Sequence, residues 1–134
     1  MKLRQILCGV DFSDSSVEAF ETAVELARAL QAKVHIIHVI EIDPAIADRA
    51  MEEKAVNAIE ALVASANEFP ASDLTTEVTT GRASVEIIER ARERNADLIV
   101  LGAKGIRIPE VFGSTADRVA KEAPCSVLIV RPQP

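Results

Sequence analysis

Glycine and hydroxyl residues late in the chain have the spacing of a phosphate-binding loop. Gly102 directly follows an apolar run, Gly105 comes three residues later, and Gly113, Ser114 and Thr115 open a helical pattern. Glycine allows left-handed backbone angles and places no Cβ between an anion and the amide N–H groups. A helix N-terminus adds unpaired N–H donors and a partial positive charge. This stretch therefore predicts phosphate binding, with the two hydroxyl groups as additional donors.

The same stretch also suits a simpler role, in which a strand exit is followed by a helix cap. Ser114 and Asp117 have the spacing of a near capping box. Lys104 and Arg107 between the glycines could face a phosphate or only solvent. Neither a Walker loop, G-x-x-x-x-G-K-[ST], nor the dinucleotide fingerprint G-x-G-x-x-G occurs in the chain. The loop alone leaves both interpretations open, and its position in the fold has to decide between them.

Composition limits the class of protein. The 134 residues are 49% hydrophobic and have a formal net charge of −6. This length suits one domain with a sizeable core. The acidic balance argues against nucleic acid or an anionic membrane surface as a partner.

The N-terminus has no signal-peptide pattern and no apolar run is long enough to span a bilayer, so we expect a cytoplasmic protein. Cys8 and Cys125 lack metal or redox spacing and are expected to be inert thiols.

Hydrophobic periodicity predicts alternating strands and helices. Strands are expected at 3–10, 33–40, 74–80, 97–101 and 126–131, and helices at about 16–31, 51–69, 85–94 and 114–123. Ser15 with Glu18 forms a capping box for the first helix, Ser84 can cap the third, and Asn95 suits a left-handed end of that helix.

This alternation is typical of a parallel sheet covered by helices on both faces. The strand at 74–80 alternates polar and apolar residues as an edge strand would, which favours the order 3-2-1-4-5. In that order the winding reverses between strands 1 and 4, and ligands bind at such a switch point. The loops after these two strands begin at Asp11 and Gly102. We therefore predict one doubly wound, Rossmann-like α/β domain over 1–134, with a phosphate site in this crevice.

The chain resembles the universal stress protein family over nearly its whole length, and three segments carry this resemblance. They are Val10-Asp11-Phe12-Ser13 after the first strand, His38-Val39-Ile40 in the second, and G-x2-G-x7-G-S-T after the fourth. ATP-binding members of that family have G-x2-G-x9-G-[S/T] at the last position, so the loop here is two residues shorter. If the two missing residues were helical, their loss shortens the loop by about 3 Å.

The resemblance implies a site for ATP, or for ADP or AMP, with Mg²⁺. It places Asp11 at the nucleoside and the backbone of Val39 at adenine, although Asp11 could instead cap the first helix. The candidate nucleotide-binding residues are Asp11, Val39, Gly102, Lys104, Gly105, Gly113, Ser114 and Thr115.

Three functions are compatible with these residues. The first is an ATP-binding stress-response module or switch. The second is a dimeric stress adapter that binds no nucleotide, which the shortened loop supports. The third is an ATP-pyrophosphatase type of enzyme, but its S-G-G-x-D-S-like loop is absent after strand 1. Hydrolysis needs a positioned water and usually a base or metal carboxylate, and Glu110 is the single acid within the glycine loop. Any ATP turnover is therefore expected to be slow.

Two further features concern structure and assembly. His35 and His38 are three residues apart on one strand and face opposite sides, so they cannot share a metal ion and are interpreted as structural.

The last strand is apolar on both faces and uncharged at its centre, which an exposed sheet edge would not tolerate. We expect it to pair antiparallel with a second copy across a two-fold axis, and the family resemblance implies a similar dimer. The interface residues are then Val127, Leu128, Ile129 and Val130.

Overall fold

The apolar runs of the chain form a five-stranded parallel sheet in the computed structural model, which describes residues 2–66, 69–70, 73–103 and 113–132. The strands are β1 (Gln5–Gly9), β2 (Lys33–Ile40), β3 (Leu74–Thr80), β4 (Leu98–Gly102) and β5 (Ser126–Val130). The helices are α1 (Asp14–Leu30), α2 (Arg49–Ala64), α3 (Ala83–Glu93) and α4 (Ser114–Glu122), with a 3-10 turn at Pro44–Ile46. The sheet order is β3-β2-β1-β4-β5, which confirms the predicted order and fold class.

Two hydrophobic clusters cover the two faces of the sheet. Side chains from α1 and α2 pack on one face with Ile6, Cys8 and Ile36. Side chains from α3 and α4 pack on the other face with Leu7 and Ile37. Because successive strand residues point to opposite faces, the central strands are apolar throughout. None of the helices in the described part of the chain is long and apolar enough to cross a membrane.

The start of α1 differs from the predicted Ser15–Glu18 box. Ser13 is the N-cap, and its Oγ accepts a hydrogen bond from the Ser16 N–H at 3.3 Å. Ser15 lies inside the helix and is buried. A cap needs an extended residue with an oxygen facing the first turn, and Ser13 has that conformation, with φ −70° and ψ 160°.

The start of α3 differs from prediction for a long-range reason. Arg82 is its N-cap position and contributes no side-chain cap, while Ser84 is buried within the first turn. Glu41, which follows β2, instead accepts a hydrogen bond from the Ala83 N–H at 2.9 Å. The predicted left-handed conformation after the helix is confirmed at Asn95, where φ is 53°.

Candidate functional site

A crevice lies at the carboxyl ends of β1 and β4, at the predicted switch point. The turn after β1, the end of β2 and the first turns of α3 and α4 line it. The structure brings six of the eight candidate residues to this crevice, namely Asp11, Val39, Gly102, Gly113, Ser114 and Thr115. The other two, Lys104 and Gly105, lie outside the described residues, as do Arg107 and Glu110.

The turn between β1 and α1 is ordered by the Asp11 carboxylate. Its Oδ1 accepts hydrogen bonds from the Ser13 N–H at 3.0 Å and the Ser13 hydroxyl at 2.6 Å. Phe12 between them has a left-handed backbone with φ 67°, which is uncommon for a bulky side chain. Asp11 therefore does not cap α1 itself, which was its alternative role; it binds the capping residue Ser13 while lining the crevice.

The backbone of Val39 lies just beyond the point where β2 stops pairing with β1. The last bond of that ladder joins the Val10 N–H to the Ile37 carbonyl at 2.9 Å. On the other side of β2, Gly81 donates to the Ile40 carbonyl at 3.1 Å, so even-numbered residues bond to β3 at this end. Residue 39 therefore directs its N–H and C=O toward the β1 side. Among the described residues, neither group has a hydrogen-bond partner.

No side chain in the described part of the chain caps the N-terminus of α4. Gly113 is the N-cap position, with φ −60° and ψ 157°, and it has no side chain that could accept from the first turn. The suggested capping role of Asp117 is not realised, because that carboxylate pairs with Lys121 at 3.1 Å. The first turn, with Ser114 and Thr115, borders the crevice. The first N–H groups of a helix have no partner within the helix, and together with the helix dipole they make this end suitable for an anion.

Gly102 has a packing role that its spacing did not reveal. A Cβ at this position would lie 2.5 Å from the carbonyl carbon of Ser15 and 2.6 Å from its oxygen. The absence of a side chain therefore allows the first turn of α1 to approach β4 directly. This contact brings the start of α1 to the edge of the crevice.

Glu41 is a crevice residue that the sequence reasoning missed. It lies one residue after β2 and lines the crevice together with Ala83, whose N–H it binds. An acidic residue directly after the carboxyl end of a central strand is the signal that could have identified it. Asp11 and Glu41 are thus two carboxylates of the crevice, and each accepts a backbone hydrogen bond. No group of three or more acidic, histidine or cysteine residues in the described ranges could hold a metal ion.

A second polar cluster lies away from the crevice, on the face of the sheet covered by α3. His35 Nδ1 is 2.6 Å from the Thr75 hydroxyl and its Nε2 is 2.9 Å from Glu77 Oε1. Arg90 on α3 binds the same carboxylate, with its Nη2 2.6 Å from Glu77 Oε2. Burial lowers the pKa of His35, although the hydrogen bond to Glu77 opposes that shift. Burial raises the pKa of Glu77, but the hydrogen bonds from Arg90 and His35 outweigh it and leave that pKa below its usual value.

The cysteines lie apart from this chemistry. Cys8 is fully buried, and burial raises the pKa of its thiol to about 12. Burial, with Asp97 nearby, also raises the pKa of Cys125. A thiol with a raised pKa is a poor nucleophile at neutral pH. Both observations agree with the interpretation of the cysteines as inert packing residues.

Comparison with known proteins gives a consistent result. The model of the universal stress protein family matches residues 2–131. A universal stress protein of Methanocaldococcus jannaschii is 31% identical over 140 residues, covering 96% of this chain and 82% of the relative. A solved universal stress protein in complex with cAMP superimposes with a TM-score of 0.78 at 22% identity, covering 99% of this chain and 100% of the other. One from Archaeoglobus fulgidus in complex with dAMP gives 0.75 at 22% identity, covering 97% and 99%.

Proposed function

Because this chain belongs to the universal stress protein family, we propose that it binds an adenine nucleotide in the crevice and acts as a stress-response module or switch. The observation that carries the proposal is the backbone of Val39, which has no hydrogen-bond partner among the described residues. It lies across the crevice from the start of α4, which no described side chain caps. Two related folds have been solved with adenine nucleotides, cAMP and dAMP, which supports the same ligand class.

The chemistry of Val39 suits adenine in particular. One backbone N–H and one C=O on the same side of a strand form a donor beside an acceptor. The amino edge of adenine has the complementary pair, since N1 accepts and the N6 amino group donates. Guanine has a donor at N1 and an acceptor at O6, so in the orientation that suits adenine it would place two donors and two acceptors against each other. An adenine base is therefore the expected occupant of this end.

The remaining residues suit the sugar and the phosphates. Asp11 lines the crevice between the β1 end and α1, where a carboxylate can accept from ribose hydroxyls. The N–H groups and hydroxyls of Ser114 and Thr115, together with Gly113, are the described donors for phosphate oxygens. We propose Lys104 and Gly105 as further phosphate contacts. With ATP as the ligand, Mg²⁺ neutralises phosphate charge when it is bound there.

We expect this site to bind ATP rather than turn it over quickly. Asp11 orders the turn through Ser13, and Glu41 binds the N-terminus of α3. Neither described carboxylate is therefore arranged as a dedicated base for water. A steady-state rate below about 1 s⁻¹, at the low end of the enzyme range, is the expected result.

Titration calorimetry with Mg-ATP, ADP and AMP tests the proposal. Wild-type protein should release or absorb heat with one site per chain. Asp11→Ala should weaken binding by about tenfold, as for one lost polar contact to a charged group. Gly113→Val should weaken it further, because a branched side chain would stand where an amide meets phosphate. Asp14→Ala removes a neighbouring exposed carboxylate outside the crevice lining and should bind like wild type. The absence of both heat and thermal shift at millimolar nucleotide would refute the proposal and favour the nucleotide-free adapter.

We also propose that the protein is a homodimer through β5. This strand is at the sheet edge and pairs with β4 alone among the described strands. Val127 and Val130 pack partly against the two hydrophobic clusters, whereas Leu128 is 36% exposed. An apolar edge with an open row of backbone groups favours pairing with a second copy. Ile129 completes the proposed interface.

Light scattering on a sizing column measures this assembly. At tens of micromolar, wild-type protein should elute with twice the chain mass. Leu128→Glu should shift the population to monomer, because it places a charge at the paired edge. Leu30→Glu is the matched control, since Leu30 is 47% exposed at the far end of α1. A soluble wild-type monomer, or equal effects of the two variants, would contradict a dimer through β5.

A further inference from the structure

The side chain of His38 ends the pairing of β1 with β2. Its Nδ1 lies 2.7 Å from the Val10 carbonyl oxygen. Because a carbonyl can only accept, Nδ1 carries the hydrogen and donates it, whatever the state of Nε2. In a regular parallel ladder that carbonyl would accept the N–H of Val39, the next residue of β2 that faces β1. The histidine therefore takes the position that would continue the ladder.

We infer that His38 is a positioning residue, which keeps the Val39 N–H available for the adenine base by binding the Val10 carbonyl in its place. The inference rests on the proposed nucleotide function and deepens it. His38 itself faces the α1 side of the sheet with Phe12, so it acts on the ligand through Val39. It is thus a determinant of base selectivity that does not contact the base.

Phe12 fixes the orientation of the histidine ring. The two ring centroids are 4.7 Å apart with a 44° angle between the planes. The left-handed backbone of Phe12, at φ 67°, is what turns the chain so that its ring reaches His38. Strained backbone of this kind persists where surrounding contacts hold it and is found at ligand sites. The Val10–Phe12–His38 unit joins the Asp11 turn to the base-binding end of β2.

Three substitutions at one position separate hydrogen bonding from packing. His38→Asn places an amide nitrogen at the same number of bonds from Cα as Nδ1, so it retains a donor for the Val10 carbonyl. His38→Gln places its nitrogen one bond farther along, and His38→Leu has no donor. The readout is the ratio of dissociation constants for IMP and AMP, which differ at the base edge alone. A residue that only supports folding would weaken both nucleotides equally and leave the ratio unchanged.

We expect wild-type protein to prefer AMP over IMP by about tenfold, the discrimination of one good bidentate pair. The Leu and Gln variants should reduce the ratio to about twofold or less, and the Asn variant should restore at least half of the wild-type ratio. Retention of the full ratio in both Leu and Gln variants would overturn the inference. If the Leu variant does not fold, the comparison of Asn with Gln decides in the same way.

Hydrogen exchange at the Val39 amide provides a readout that needs no nucleotide. In wild-type protein this amide should exchange faster than that of Ile37, which lies within the ladder. In His38→Gln it should slow by at least about tenfold, because the released Val10 carbonyl can accept it. Equal Val39 exchange in wild-type and Gln variants would overturn the inference. If wild-type protein binds neither AMP nor IMP, the proposed function fails, and this exchange measurement still tests the role of His38.

Discussion

His35 and His38 are three residues apart on β2, and their surroundings differ in what they leave unsatisfied. Around His35, both ring nitrogens have partners, and Glu77 is held in turn by Arg90. Around His38, the ring satisfies the Val10 carbonyl and so leaves the Val39 N–H without a partner among the described residues. The first region is a closed network between two strands and a helix. In the second region, hydrogen bonding among the described residues is incomplete where β2 meets the crevice.

This difference helps to separate structural polar residues from a binding surface. Buried or half-buried polar groups that all have partners stabilise the fold and require no ligand. A strand backbone that is unpaired at a switch point, beside an uncapped helix, has hydrogen-bonding capacity for a ligand. The two regions should therefore respond differently to mutation, in stability on one side and in nucleotide binding on the other.

The largest effect on the crevice side is expected at Gly102. Gly102→Ala should lower the free energy of unfolding by about 3 kcal/mol, because its Cβ would overlap the Ser15 backbone. Gly9→Ala is the control. Its Cβ would come within 2.7 Å of Leu101 Cδ2 and 2.9 Å of Ile87 Cδ1, which are side-chain ends that can rotate. It should cost only about 1 kcal/mol. Urea unfolding measures both, and equal losses would contradict the rigid α1–β4 contact.

Substitution of Glu77 most directly disrupts the hydrogen-bonded network around His35. Glu77→Ala leaves His35 and Arg90 without their shared partner and should cost about 2 kcal/mol of stability. It should leave the nucleotide dissociation constant unchanged, because no member of this network lines the crevice. Glu89→Ala removes an exposed carboxylate from the same helix, α3, and should be close to neutral in urea unfolding. A large loss of nucleotide affinity in Glu77→Ala would show that the two regions are coupled.

Glu41 combines features of the two regions, because it lies at the crevice and also makes a structural contact. Glu41→Ala removes the acceptor for the Ala83 N–H and should cost about 1 kcal/mol, as other helix caps do. Glu41→Gln retains an acceptor oxygen and should recover most of that loss. Thermal unfolding of both variants measures this effect. Equal melting temperatures for the Ala variant and wild type would show that the cap contributes nothing.

The smallest effect is the pH dependence of the His35 region. Burial lowers the pKa of His35 in the folded state, so the unfolded chain takes up the proton first as pH falls. The stability contributed by neutral His35 is therefore complete above about pH 6.5 and decreases as pH falls through the folded pKa. The lowered pKa of Glu77 adds a loss of the same sign at more acid pH. Urea unfolding between pH 7.5 and pH 5 should show this decline in wild type but less of it in His35→Gln. An identical decline in both proteins would assign it to other groups.

The sequence predicted those features that depend on local pattern. Hydrophobic periodicity and turn residues are local signals, and they predicted the strand order, the switch point and the position of Gly113 at the start of α4. The Asp11 turn was also identifiable, although the cap of α1 was assigned to Ser15 instead of Ser13. A residue's neighbours in the chain do not reveal contacts that the fold creates. The cap from Glu41 spans 42 residues, the bond from His38 to Val10 spans 28, and Gly102 faces Ser15 only after β4 and α1 are packed.

A nuclear magnetic resonance titration of isotope-labelled protein with AMP most directly tests the central claim, that the crevice and not the His35 region binds nucleotide. The amide signals of Val39, Asp11 and Ser114 should move in a saturable way, while those of Thr75 and Glu77 on β3 stay in place. Saturable shifts centred on β3, or no saturable shift at Val39 with nucleotide at millimolar concentration, would contradict the account.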